Sequence, residues 1–176
     1  MSPAHLGVLC LAFSVGCRSL SGGPDAGQLT AEWAGAATGA ARLTASATWC
    51  ARDSILEILA REGDTGVGIA VHYGGTGPVT GSFGLSHPAQ DMARRPAATG
   101  ALRFTTPEAL HAYLTRSGEV EITAVDEARV TGRMTFRLSS RIGADTLVLV
   151  GSFRDVPVDS ARTPCGLAPP TPSEVF

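Results

Sequence analysis

The chain has 176 residues, 44% hydrophobic and only 17% charged, with 21 Gly and 11 Pro spread along it. That length suits one domain with a core of ordinary size, and a net charge of −2 without any basic run leaves no electrostatic footprint for nucleic acid. All 14 basic residues are Arg, which excludes a P-loop lysine, a Schiff-base lysine and a Ser–Lys dyad outright.

The first segment, 1–17, reads as an export signal. Leu6 to Gly16 is an apolar run of eleven residues, too short for a bilayer span of about 20 but right for a signal-peptide core. It ends at Ser14-Val15-Gly16-Cys17, which resembles the lipobox of bacterial lipoproteins, although Ser14 stands where Leu is usual and no Arg or Lys precedes the core. The resemblance implies a lipid on Cys17 and a membrane-anchored lipoprotein of the bacterial envelope, in the periplasm or at the cell surface. An ordinary secretory signal and an apolar N-terminal strand are the alternatives. Residues 18–28, rich in Ser, Gly and Pro, then read as a flexible tether.

A β domain is expected over 29–160 and a Pro-rich tail over 161–176. Gln28 to Trp33 is compatible with a short strand, and Arg42 to Cys50 alternates more strictly, with Leu43, Ala45, Ala47 and Trp49 on one face. Asp53 to Glu62 is ambiguous. Ile55, Leu56, Ile58 and Leu59 have helical spacing behind a Ser54-x-x-Glu57 capping-box match. The run nevertheless leads into the turn Gly63-Asp64-Thr65-Gly66 and a β-rich stretch from Val67 to Tyr73, which favours two paired strands. Turn residues at Gly74 to Pro78, a strand at Val79 to Leu85, a surface loop from Ser86 to Pro96 and a strand at Thr99 to Thr105 follow. At Pro107 to Leu114 the spacing of Leu110, Tyr113 and Leu114 suggests a short helix.

The clearest sheet lies at 118–153. Val120, Ile122 and Ala124 alternate with Glu119, Glu121 and Thr123, while Val130, Gly132, Met134, Phe136 and Leu138 alternate with Arg129, Thr131, Arg133, Thr135 and Arg137. Both apolar sets occupy even positions, so a three-residue loop at 126–128 pairs Glu121 with Arg133 and Thr123 with Thr131. A third strand runs from Thr146 to Phe153, and Asp155 to Val158 extends it. Three short echoes, Val79 to Phe83, Val130 to Met134 and Leu149 to Phe153, each carry Gly inside a strand, which marks a bend or a close backbone approach. The fold expected is therefore all-β, an antiparallel sandwich or barrel of about 8–9 strands with at most one or two short helices. Gly132 and Gly151 are where such a sheet would bend to make room for a small ligand.

Once the signal and Cys17 are set aside, Cys50 and Cys165 remain. A disulfide between them is the default in an oxidising compartment, closing a loop of about 115 residues and stabilising by roughly 4–5 kcal/mol in the chain-entropy model.

Catalytic motifs are absent from the sequence: no G-x-S-x-G, no H-E-x-x-H and no EF-hand loop. Gly75 to Gly81 has the wrong spacing for a nucleotide loop. No catalytic, cofactor or metal residues are assigned. The ladder Arg129, Arg133, Arg137 reads as a solvated face neutralised by Glu119 and Glu121. In layout, the Cys17 tether, the β body and the closing Cys165 are similar to small uncharacterised bacterial lipoproteins with a single β domain, a resemblance that brings no activity. The leading expectation is a non-catalytic, envelope-tethered domain for adhesion, scaffolding or envelope assembly, partnered by the membrane through its anchor and by envelope proteins, without nucleic acid. The alternative is a lipocalin-like barrel holding an apolar small molecule. A hydrolase is the third reading; it requires at least two of His72, His87, His111, Asp64 and Asp91 in one cleft.

Overall fold

The computed structural model describes residues 26–75, 77–85 and 96–160. The expected signal segment with Cys17, the tether up to residue 25, residues 86–95 of the expected loop and the tail with Cys165 lie outside the described residues.

Nine strands make up the described fold: β1 Gly27–Gly35, β2 Gly39–Cys50, β3 Ile55–Glu62, β4 Thr65–His72, β5 Gly81–Gly84, β6 Ala97–Thr105, β7 Leu110–Val125, β8 Arg129–Ser140 and β9 Thr146–Ser160. Eight of them form a ring in the order β1–β2–β3–β4–β6–β7–β8–β9, each antiparallel to the next. β9 returns to β1 over Gln28–Gly35, so the sheet closes into a barrel. Of the two all-β architectures the sequence allowed, the barrel is the one formed. Closure removes the exposed edges that would template aggregation.

Alternation drives this arrangement. Leu29, Ala31 and Trp33 on β1, Val67, Ile69 and Val71 on β4, and Met134, Phe136 and Leu138 on β8 point inward and are buried, while Glu32, Arg133 and Arg137 point out. Apolar inside and polar outside is the arrangement of a water-immersed barrel, the reverse of a membrane barrel.

The ambiguous stretch at 53–62 is a strand. β3 and β4 pair from Ile55↔His72 to Glu62↔Thr65, and Gly63 makes the turn at φ 55°. The helix suggested at 107–114 does not form. Thr106 and Ala109 close a turn, and β7 begins at Leu110 and pairs with β6. Leu110 and Leu114 looked helical in spacing because they lie on the outer wall, while Tyr113 and Thr115 face in.

The register expected for β7 and β8 holds at Glu121↔Arg133, which form an ion pair. It fails at Thr123: a bulge puts Ala124 opposite Thr131, and the Thr123 hydroxyl donates to the Thr131 carbonyl instead. The bulge rotates Val125 toward the interior beside Val130, where strict alternation would have left Ala124. A second bulge, at Arg116, lets β7 leave β6 after Leu114 and take β5 from Glu119 onward. The Thr115 hydroxyl accepts the Gly100 N–H at that branch (3.1 Å). β5 thus fills the wedge that opens between β6 and β7.

Candidate functional site

The barrel axis is filled by side chains. Gly100 and Gly132 face inward, and a Cβ on either would come within 2.5 Å of the Phe136 or Phe153 ring. The same holds for Gly39, whose missing side chain is replaced by the Trp33 indole. Gly132 does sit at a bulge, between Val130↔Val156 and Gly132↔Phe153. The room made there is taken by Phe153, and beside Gly151 it is taken by Met134, so the bend expected to receive a small ligand is occupied by the protein itself.

Both ends of the barrel carry aromatic clusters. At the end with the short turns, Phe104 stacks on Trp33 (5.3 Å between centroids), His111 (5.0 Å) and Tyr113 (5.9 Å). At the other end, Tyr73 meets Trp49 (5.8 Å) and Phe83 (5.0 Å) edge to face. Burial pushes the Tyr73 hydroxyl up to about 12, and that hydroxyl has no hydrogen-bond partner among the described residues.

The scattered acid–base candidates stay scattered. His72 lies opposite Ala97 and His111 opposite Phe104, at the two ends of β6, about 24 Å apart at strand rise. His111 stacks on Phe104 and shares a hydrogen bond with the Thr106 hydroxyl (3.3 Å). Asp64 is exposed in the β3–β4 turn, while His87 and Asp91 lie outside the described residues. No group of three His, Cys, Asp or Glu residues able to hold a metal occurs among the described residues. Cys50 ends β2 and is 1% exposed; Cys165 lies outside the described residues.

The arginine ladder is only partly self-neutralised. Arg133 pairs with Glu121 and Arg129 donates to the Asp155 carbonyl (2.8 Å), whereas Glu119 accepts from Ser82 rather than from an arginine.

Recognition is left to the outer wall. Across β2, β1 and β9, Arg42 lies beside Thr30, Thr30 beside Ser152, and Gln28 beside Arg154. These five residues line a cleft of about 260 Å³, in which the Thr30 and Ser152 hydroxyls share a hydrogen bond (3.2 Å). A shallower trough of about 640 Å³ shares Thr30, Arg42 and Ser152 and continues along Glu32 and Val150. Neither Arg42 nor Arg154 makes an ion pair among the described residues. No local pattern announces this cleft, because Arg42 and Arg154 come together only through two ladders that bring β1 between them. No family model, no curated protein and no solved structure matches this chain.

Proposed function

We propose that this is a non-catalytic β-barrel module, exported and lipidated at Cys17, that serves adhesion, scaffolding or assembly in the bacterial envelope through its outer wall. The observation that carries the reading is the filled barrel with aromatic clusters at both ends, which leaves contact to side chains such as Arg42, Thr30, Ser152 and Arg154. A lipocalin-like ligand would need the space that Phe136, Phe153 and Trp33 fill.

The Cys50–Cys165 disulfide belongs to the same proposal. Geometry supports it: the end of β9 runs parallel to the end of β2, with Trp49 beside Ser160. Cys165 lies five positions after Ser160, enough to reach about 17 Å when extended, and Cys50 follows Trp49 directly. The bond would tie the tail to the seam of the barrel.

A photo-crosslinker at Ser152 tests the contact surface in intact cells, with one at Thr44 as the neighbouring control. The expected product is a discrete envelope adduct that Arg42→Glu and Arg154→Glu abolish. A chain giving no adduct yet turning over a substrate would sink the proposal. The mass of the mature protein, with and without reductant, tests lipidation of Cys17 and the disulfide separately.

A further inference from the structure

The glycines of β4 set up a second surface, on the opposite wall. Gly in a strand weakens it unless a bend, a positive φ or a close approach requires it. Gly66 and Gly68 have none of these reasons: neither has positive φ, and a Cβ would meet nothing closer than the Ala60 carbonyl at 3.4 Å and the Leu59 side chain at 3.6 Å. The inward glycines of the barrel, by contrast, are filled by a neighbouring ring. With Ala70, these two keep the outward row of β4 small from Gly66 to Ala70, a valley about 14 Å long at strand rise, and His72 closes the row at its far end.

The ladders specify what borders that valley. One row reads Arg61, Gly66, Arg103, so two arginines face each other across an absent side chain. The next row reads Leu59, Gly68, Ala101, Leu114, an apolar floor between two leucines. Leu59 is 61% exposed. The groove holds about 330 Å³, within the range of small-ligand sites, and Arg141 lies at the same basic end, its N–H on the Ala112 carbonyl. None of the three arginines makes an ion pair among the described residues.

We infer that this groove binds a free amphipathic anion, a single alkyl chain ending in a carboxylate. The head sits between the Arg61 and Arg103 guanidiniums, where bidentate pairing is available, and the chain lies over Gly68 and Ala101 between Leu59 and Leu114. Charge argues for this occupant: Arg61, Arg103 and Arg141 gather at one end and call for an anionic head, while the floor between the two leucines is apolar and takes an alkyl chain. The site is independent of the cleft at Arg42 and of the proposal about export.

Titration calorimetry of the full chain with dodecanoate tests the inference, with acetate and 1-dodecanol as probes lacking tail or head. One dodecanoate per chain is expected, with both controls at least tenfold weaker. Gly68→Leu should fill the floor and weaken dodecanoate at least tenfold, and the Arg61→Gln, Arg103→Gln pair should do the same while leaving 1-dodecanol unchanged. Far-UV circular dichroism checks each fold, and Ala101→Leu blocks the same floor if Gly68→Leu does not fold. The inference is overturned by absence of saturable dodecanoate binding, or by binding that neither blocking variant nor the arginine pair alters. It is equally overturned if the groove variants change only self-association or only attachment to anionic phospholipid vesicles.

Discussion

Substituting Gly100 and Gly68 by Ala separates a glycine that the core demands from one that it does not. A Cβ at Gly100 would lie 2.5, 2.9 and 3.1 Å from three atoms of the Phe136 ring. Phe136 is 0% exposed, so the ring cannot relieve the clash by swinging into solvent, and the Gly100 N–H is held to the Thr115 hydroxyl, which fixes the strand. Overpacking of this kind costs about 1–3 kcal/mol, and Gly100→Ala should lower the urea midpoint by about 1 M at an m-value of ~2 kcal/mol/M. At Gly68 the same methyl enters open space against Leu59 at 3.6 Å. There the reduced freedom of the unfolded chain dominates, and the variant should gain about 0.4–1 kcal/mol. Tryptophan fluorescence reports both, because Trp33 packs in the core cluster. In a Phe136→Leu background Gly100→Ala should cost much less, a coupling of about 1 kcal/mol or more for residues in contact. Equal effects at the two glycines, or an unchanged cost without the Phe136 ring, would refute the claim that side chains fill the barrel.

Tyr73 should give a stability that falls as pH rises: its folded value of about 12 lies above the ordinary 10, so its contribution is complete below pH 10 and is lost between pH 10 and 12. Urea midpoints at pH 9 and 11.5 check this, and Tyr73→Phe should flatten the slope to the residue left by Tyr113, whose hydroxyl is also raised, by burial and then by the Asp145 charge. The Asp126 carboxylate accepts the Ala128 and Arg129 N–H groups at 2.7 Å, and these bonds, then the Arg129 charge, hold it below the usual carboxylate range. Asp126→Ala should therefore destabilise at pH 7, and the difference from the parent should vanish in melts run well below pH 3.8 as the parent carboxylate protonates. Breaking the exposed Glu121–Arg133 pair should matter little, about 0.2–1 kcal/mol in a double-mutant cycle at low salt and less at high salt. Gly27→Ala should destabilise, because its Cβ would run into the Val156 backbone, and amide exchange should speed up first at Thr48 and Trp49, where β2 borders β9.

What the sequence made legible was local. Strict alternation in β2 and β8 marked both strands and their inward faces, and the charge pair Glu121–Arg133 followed from parity across one hairpin. Parity also explains the errors. A bulge adds one residue to a strand and inverts the phase beyond it, so Thr123 lost its expected partner and Val125 turned inward. Nothing in the composition of β7 announces its bulges except Gly118, whose φ of +133° at the bend only glycine tolerates easily. The grooves were less visible still. Arg61 and Arg103 are 42 positions apart and face each other only because β4 pairs with β6 after the excursion from Tyr73 to Pro96. Registers between strands not joined by a tight turn are set by tertiary packing, which a linear pattern does not encode.

Closure follows from the way β9 ends. Up to Phe153 its odd residues face in, against β1 and β8. At Asp155, with φ 49°, one extra residue enters and the phase inverts, so Arg154 and Asp155 both point out and Val156 turns in. The Asp155 N–H is taken by the Thr131 hydroxyl and its carbonyl by Arg129, which pins the bulge from β8. Past it the strand crosses the start of β1, where only a glycine at position 27 leaves space for Val156, and continues parallel to β2 from Ala47↔Val158 to Trp49↔Ser160. The partners in this parallel pair lie 111 positions apart, so the pairing carries a large loop-closure cost. The seam is therefore held by packing rather than by local order, with Val156 seated against Gly27 and Val158 packed on the core cluster.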